Sequence, residues 1–133
     1  MAVLCCTLPL PANFRPDDFL AFHARDAQQV AECVGPDQMT KGLMWQGHPA
    51  RLGIRFRPGH ADARLAIDGL HDGITRQLEA LVRHLLGLTQ PVESFEAAYR
   101  KHALLGLLIA HHPGLRVPQA ASPFEALSWA ITG

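Results

Sequence analysis

Cysteine and histidine are the side chains in this sequence best suited to bind zinc or to act as nucleophiles. The chain has eight histidines and three cysteines, Cys5, Cys6 and Cys33. It contains neither a Cys-x-x-Cys nor a His-x-x-x-His pair, and Cys5 and Cys6 would point to opposite faces of a strand. No motif places a histidine beside a cysteine, as a thiolate nucleophile requires. We therefore expect no metal site, no cofactor and no catalytic cysteine.

Arginine forms the second group of candidate side chains. Residues 48–67 hold four arginines against one aspartate, whereas residues 17–37 hold five acidic residues against one arginine. The arginines of residues 51–57 share one face of a strand, and such a face is able to hold phosphates through bidentate contacts. The sequence favours the alternative of a solvated outer face whose arginines pair with the acidic stretch.

Aromatic residues form the third group. Phe19 and Phe22 lie one helical turn apart, and two phenylalanines at this spacing usually both face the core. A functional role for Phe22 is the alternative. Trp45 and Trp129 are most simply explained as core or interface residues.

Composition excludes several classes of protein. Twelve basic residues balance twelve acidic ones, so a globally basic nucleic-acid binder and an acidic tail protein are both excluded. With 48% hydrophobic and 18% charged residues, the chain is too apolar to be disordered. The longest apolar run, residues 103–110, is far shorter than the roughly 18–20 residues of a membrane helix. We expect a soluble cytoplasmic protein that does not bind membranes.

Proline and glycine divide the first 90 residues into short elements. A strand over Met1–Pro11 precedes a helix over Pro16–Arg25, where Asp17 and Asp18 suit the first helical turn. Four segments bounded by Gly or Pro follow at the spacing typical of antiparallel strands. After these strands, a second helix is predicted from the helical spacing of the apolar residues that follow. The predicted strands are 28–34, 38–46, 51–57 and 63–68, and the apolar positions of the helix are Ile74, Leu78, Leu81, Val82 and Leu85.

These elements predict an α+β fold, an antiparallel five-stranded sheet with two helices, complete by residue 90. Further helices are predicted at Ser94–Tyr99 and Ala103–His111. Another begins after Ser122, with Pro123 at its first position and Glu125 completing a capping box. We expect two units, an α+β domain at 1–90 and an incomplete helical domain at 91–133. The chain is then a fragment, and its uncovered apolar helices should make it self-associate.

Several stretches resemble DNA-3-methyladenine glycosylase II, an alkylated-base DNA glycosylase of the helix-hairpin-helix superfamily. A Pro-Gly-Leu-Arg-x-Pro turn leads by a short linker into a helix that starts with Phe-Glu and ends near Ile-x-Gly. The N-terminal strand and the first helix are also similar. The residues that carry this resemblance are Thr7-Leu8, Phe19–Arg25, His112–Pro118, Phe124–Leu127 and Ile131–Gly133.

The resemblance covers essentially the whole chain but only the N-terminal part of that family. It implies a sheet domain similar to half of the TATA-binding protein, followed by the first helices of an all-α domain. It also implies hydrolysis of the N-glycosidic bond of alkylated purines of the 3-methyladenine type, flipped out of duplex DNA. The partner it implies is double-stranded DNA that contains alkylated bases, and binding it needs the C-terminal domains.

The resemblance assigns one site residue, Phe22, to the wall of the base pocket. It assigns no catalytic residue, because the family's catalytic aspartate and helix-hairpin-helix lie beyond Gly133. We therefore expect this chain alone to be inactive. The alternative function is a non-catalytic interaction module that binds a protein through its apolar C-terminal helices. The aspartates that do not match the catalytic motif are Asp17, Asp18, Asp26, Asp37, Asp62, Asp68 and Asp72.

Overall fold

The computed structural model describes residues 1–69 and 73–133; Asp72 lies outside them. Its strands are β1 (Ala2–Pro9), β2 (Glu32–Val34), β3 (Gln38–Trp45), β4 (His48–Arg57) and β5 (His60–Ile67). They form an antiparallel five-stranded sheet in the order β1-β5-β4-β3-β2. The central strands are joined by tight hairpins, and β1 pairs with β5 along its whole length.

The helices flank and follow this sheet. They are α1 (Pro16–His23), α2 (Thr75–Leu85), α3 (Val92–Tyr99), α4 (Leu105–His111) and α5 (Pro123–Thr132). The predicted α+β class and the order of strand, helix, four strands and helix are confirmed. Apart from β2, the predicted ends differ from the observed ones by three residues or fewer. None of the helices in the described part of the chain has the length and apolar content needed to cross a membrane.

The hairpin turns follow from their residues. Gln46 and Gly47 join β3 to β4 with φ of 49° and 82°, the pair of positive values that a type I′ turn requires. Between β4 and β5, Gly59 follows Pro58 with φ of 75°. These turns set the register of the three central strands.

Alternation along β4 separates the two faces of the sheet, as predicted. Leu52, Ile54 and Phe56 are buried on the inner face, whereas the arginines of this strand are exposed on the outer face. Phe19 of α1 and Leu78 of α2 join the same buried cluster. Both helices therefore pack on the inner face.

The strand predicted at 28–34 is wrong in its first half. Only Glu32–Val34 is a strand, and the preceding residues form a loop around the carboxylate of Asp26. This carboxylate accepts hydrogen bonds from the backbone N–H groups of Gln28, Val30 and Ala31 at 2.8–3.1 Å. Because these N–H groups bond to Asp26, they are not available to a strand ladder. The same bonds lower the pKa of Asp26.

The Pro-Gly turn before α5 packs against the loop that follows β1. Gly114 has a φ of 79°, and a Cβ placed on it would lie 1.9 Å from the backbone oxygen of Asn13. Only glycine fits this close approach. Two residues later, the buried Arg116 pairs with Glu93 of α3 at 2.8 Å. This turn therefore joins the helical segment to the sheet region.

Candidate functional site

Phe22 and Phe19 differ in burial although both lie on α1. Phe19 is 2% exposed, and its ring lies 5.5 Å from that of Phe56 in the core. Phe22 is only half-buried. Its ring meets that of His23 edge-on at 5.0 Å between centroids. The structure therefore leaves part of the Phe22 ring accessible, whereas Phe19 serves the core.

A planar cation lies over the Phe22 ring. The guanidinium carbon of Arg25 is 4.5 Å from the Phe22 ring centroid and 4.2 Å from that of Trp129 on α5. Both distances are within the range of cation–π contacts. Glu32 fixes the guanidinium by accepting bonds from Nε at 3.1 Å and from Nη2 at 2.8 Å. Arg25 thus connects α1, β2 and α5.

Next to Arg25 lies a buried ion cluster of Glu32, Lys41 and Glu125. Glu32 and Lys41 are directly opposite each other on β2 and β3, both on the inner face. They are 2% and 1% exposed, and Lys41 Nζ lies 3.3 Å from Glu32 Oε1. The same Nζ donates to Glu125 Oε1 of α5. The cluster therefore holds the start of α5 against the sheet.

Burial and charge act in opposite directions on Glu32. Burial raises its pKa, but the hydrogen bond from Arg25 and the charges of Lys41, His23 and Arg25 outweigh this effect. The pKa of Glu32 is consequently below its usual value, and the carboxylate stays ionised at neutral pH.

The predicted cap of α5 is only partly correct. Ser122 Oγ accepts a hydrogen bond from the backbone N–H of Glu125 at 3.1 Å, as expected of an N-cap. The Glu125 carboxylate accepts from the N–H of Ala121 instead of closing the box on Ser122. Its other oxygen faces Lys41. The carboxylate of Glu125 therefore bonds to the N–H one residue before the one that a capping box uses, while it also pairs with Lys41.

His23 is buried between Phe19 and Phe22. Its Nδ1 lies 3.1 Å from the backbone oxygen of Phe19, and its Nε2 has no hydrogen-bond partner among the described residues. Burial is the main cause that lowers the pKa of His23. The ring is therefore neutral at pH 7 and packs as an aromatic group behind Phe22.

Trp129 also borders an open groove between β3 and α5. The groove has a volume of about 690 Å³, and its other walls include Met44, Trp45 and Phe124. The buried Trp45 Nε1 has no hydrogen-bond partner in the described part of the chain. The two tryptophans thus lie at the contact between α5 and the sheet.

The cysteines lie apart from these residues. Cys5 and Cys33 are exposed thiols, and burial is the largest cause that raises the pKa of Cys6 to about 11. A thiol with such a pKa is protonated at pH 7 and is a poor nucleophile. Across residues 1–69 and 73–133, no three His, Cys, Asp or Glu side chains are grouped closely enough to hold a metal ion.

The arginines of β4 lie on the outer face of the sheet. One of them pairs with the acidic stretch as expected, through Arg55 and Asp37 at 3.6 Å. Arg57 instead pairs with Asp62 of the neighbouring strand β5, at 2.6 Å. The expected pairing with residues 17–37 is thus only partly correct.

The sequence predicts the Ser122 cap correctly, and the role given to Phe22 stays a prediction, but the ion cluster and Arg25 were not anticipated. A signal for the cluster exists, because Met39, Lys41 and Trp45 occupy alternate positions of one strand. This alternation places the lysine on the inner face, where it needs a buried acidic partner. Nothing in the sequence indicates that Glu125, 84 residues later, supplies one.

Comparison with known proteins gives a family. The family model of the AlkA N-terminal domain matches residues 5–122 of the chain. A search of curated proteins found no significant match.

Proposed function

The chain belongs to the AlkA N-terminal domain family, the N-terminal portion of AlkA-type DNA-3-methyladenine glycosylase II, and on this basis we propose that it serves a DNA glycosylase that removes alkylated purines. The proposed reaction is hydrolysis of the N-glycosidic bond of a 3-methyladenine-type base flipped out of duplex DNA. The proposed partner is double-stranded DNA with alkylated bases, bound together with the family's C-terminal domains.

The chemistry of such bases explains why an aromatic wall is useful. Alkylation at N3 or N7 gives the purine a positive charge, which makes it a good leaving group. The enzyme must then extrude the nucleotide, at a cost of a few kcal/mol. It must also hold a planar cation against an aromatic face and stabilise the positive charge that develops on the sugar.

The contact between Phe22 and Arg25 is the observation that supports this role most directly. The Phe22 ring is half-buried, and a planar cation already lies 4.5 Å from its centroid. Like the guanidinium, an alkylated purine is planar and positively charged. Behind Phe22, the rings of His23 and Phe19 are in contact, with 4.3 Å between their centroids and a tilt of 38°, and they support its position.

The remaining roles are divided between this chain and the rest of the enzyme. We propose no catalytic residue within residues 1–133, so the chain alone should release no base. We propose an α+β domain at 1–90 and the start of a helical domain at 91–133. A cytoplasmic location is supported by the three free thiols, which suit a reducing compartment.

The test compares base release by an enzyme that contains this domain with release by its Phe22→Ala variant. Single-turnover excision of 3-methyladenine from methylated DNA should slow roughly 5- to 30-fold in the variant, because a cation–π contact of about 1–2 kcal/mol is lost. Phe95→Ala is the matched control, since Phe95 is exposed and stacks on Tyr99. Equal rates for the two variants, or base release by the 133-residue chain alone, would contradict the proposal.

A second candidate function is a protein-interaction module. It is favoured by the exposed apolar residues of α5, where Phe124 is 80% and Ile131 72% exposed. Exposed apolar surface of this kind is typical of protein interfaces. The same base-release experiment separates the two candidates, because an interaction module contributes no Phe22-dependent step to excision.

A further inference from the structure

The outer face of the sheet carries arginines that the proposed base pocket does not use. Arg51, Arg55 and Arg57 of β4 and Arg64 of β5 all point to this face and are exposed. Asp62 is the acidic residue that faces outward beside them on β5. We call this surface the arginine face.

A trough crosses the arginine face at Gly53. Gly53 is opposite Arg64 in the register and lies between Arg51 and Arg55 on its own strand. Residues of one face recur about every 6.7 Å along a strand, so the two flanking arginines are separated by roughly 13 Å at their backbones. The trough has a volume of about 540 Å³ and extends past Thr7 and Thr40.

Two arginines of this face are available for a ligand. Arg57 binds Asp62 through two hydrogen bonds, at 2.6 and 3.1 Å, and Arg55 lies 3.6 Å from Asp37. Arg51 and Arg64 have no ion-pair partner among the described residues. They are diagonal neighbours across Gly53, and Arg64 also lines the trough.

We propose that the arginine face binds the phosphodiester backbone of duplex DNA, with Arg51 and Arg64 as its main contacts. Two unpaired guanidinium forks that are neighbours on one exposed face complement successive phosphates. A protein partner would need large apolar anchors at the centre of the interface. Among the outer-face residues that line the trough, Gly53 and Thr40 included, none has a large apolar side chain that could serve as such an anchor.

The arginine face is separate from the proposed base pocket. Phe22 lies on α1, on the opposite side of the sheet, and takes part in reading the flipped base. The arginine face would instead contact undamaged backbone, without regard to sequence.

Fluorescence anisotropy with a labelled, undamaged duplex tests the proposal on the 133-residue chain. The Arg51→Ala/Arg64→Ala variant should bind about tenfold or more weakly near 50 mM salt, and the slope of log K against log salt should become less negative by about 1.8. The matched control is Arg76→Ala/Arg83→Ala, which removes the same charge from exposed positions of α2. This control should bind like the wild type.

A second variant places a negative charge in the trough. A Cβ on Gly53 would have its nearest neighbours at 3.7 and 4.0 Å, so Gly53→Glu fits without strain and should abolish binding. Circular dichroism checks that each variant is folded. Equal weakening by the two double-alanine variants would overturn the proposal, as would absence of duplex binding by the wild-type chain. Tighter binding of polyglutamate than of DNA would assign the face to an acidic protein and would also overturn it.

Discussion

Replacing Lys41 by methionine should lower the unfolding free energy of the chain by about 3 kcal/mol. Removing one partner of a buried ion pair costs roughly 3–5 kcal/mol, because the other charge stays buried without compensation. Here Glu32 keeps two hydrogen bonds from Arg25, at 2.8 and 3.1 Å, which favours the lower end of that range. Glu125 is more exposed and regains some water.

Urea denaturation of the 133-residue chain measures this loss. With a slope of about 2 kcal/mol per molar urea, the Lys41→Met midpoint should fall by about 1.5 M. Arg57→Met is the control, because Arg57 and Asp62 form an exposed pair whose removal should hardly move the midpoint. A double-mutant cycle of Lys41→Met with Glu125→Gln should show that the two losses are not additive. A Lys41→Met midpoint as high as that of Arg57→Met would refute the reasoning.

The other predictions concern α1 and the C-terminal helices. In denaturant titrations Phe19→Ala should cost about 3–5 kcal/mol and Phe22→Ala only about 1 kcal/mol; equal large losses would place Phe22 in the core. The lowered pKa of His23 means that the unfolded chain binds more protons below about pH 6.5, so stability should decline as the pH falls from 7 to 5. His23→Phe should flatten this decline, and an unchanged slope would exclude His23 as its source. In light scattering the full chain should self-associate and Leu127→Glu should reduce this, whereas residues 1–90 should stay monomeric and unfold cooperatively.

Local signals predicted most of the fold. The Gly and Pro breaks mark real hairpin turns, and the alternation of β4 assigns the two faces correctly because Leu52, Ile54 and Phe56 are all apolar. The strand prediction failed at residues 28–31, because nothing in this segment indicates that its backbone N–H groups donate hydrogen bonds to Asp26. That loop depends on one side chain rather than on a periodic pattern.

The site was less predictable because its contacts are distant in the sequence. The spacing of Phe19 and Phe22 gives both the same helical face, and only the packing of Phe19 against Phe56 distinguishes them. Likewise Trp129 meets Arg25 across more than a hundred residues. Contacts of this kind follow from how α5 packs on the sheet, which no local pattern encodes.

The packing of α5 depends on directed polar contacts rather than on apolar area. Its apolar residues are largely exposed, whereas Glu125 at its first turn contacts Lys41 and the N–H of Ala121. An apolar contact would let the helix slide along the sheet. The buried ammonium group of Lys41, held by Glu32 and Glu125, has few alternative positions, so it restricts where the helix begins. Because Trp129 follows Glu125 by one turn, the same contact sets the distance between Trp129 and the guanidinium over Phe22. The ion cluster therefore fixes the geometry around the guanidinium that lies over the Phe22 ring.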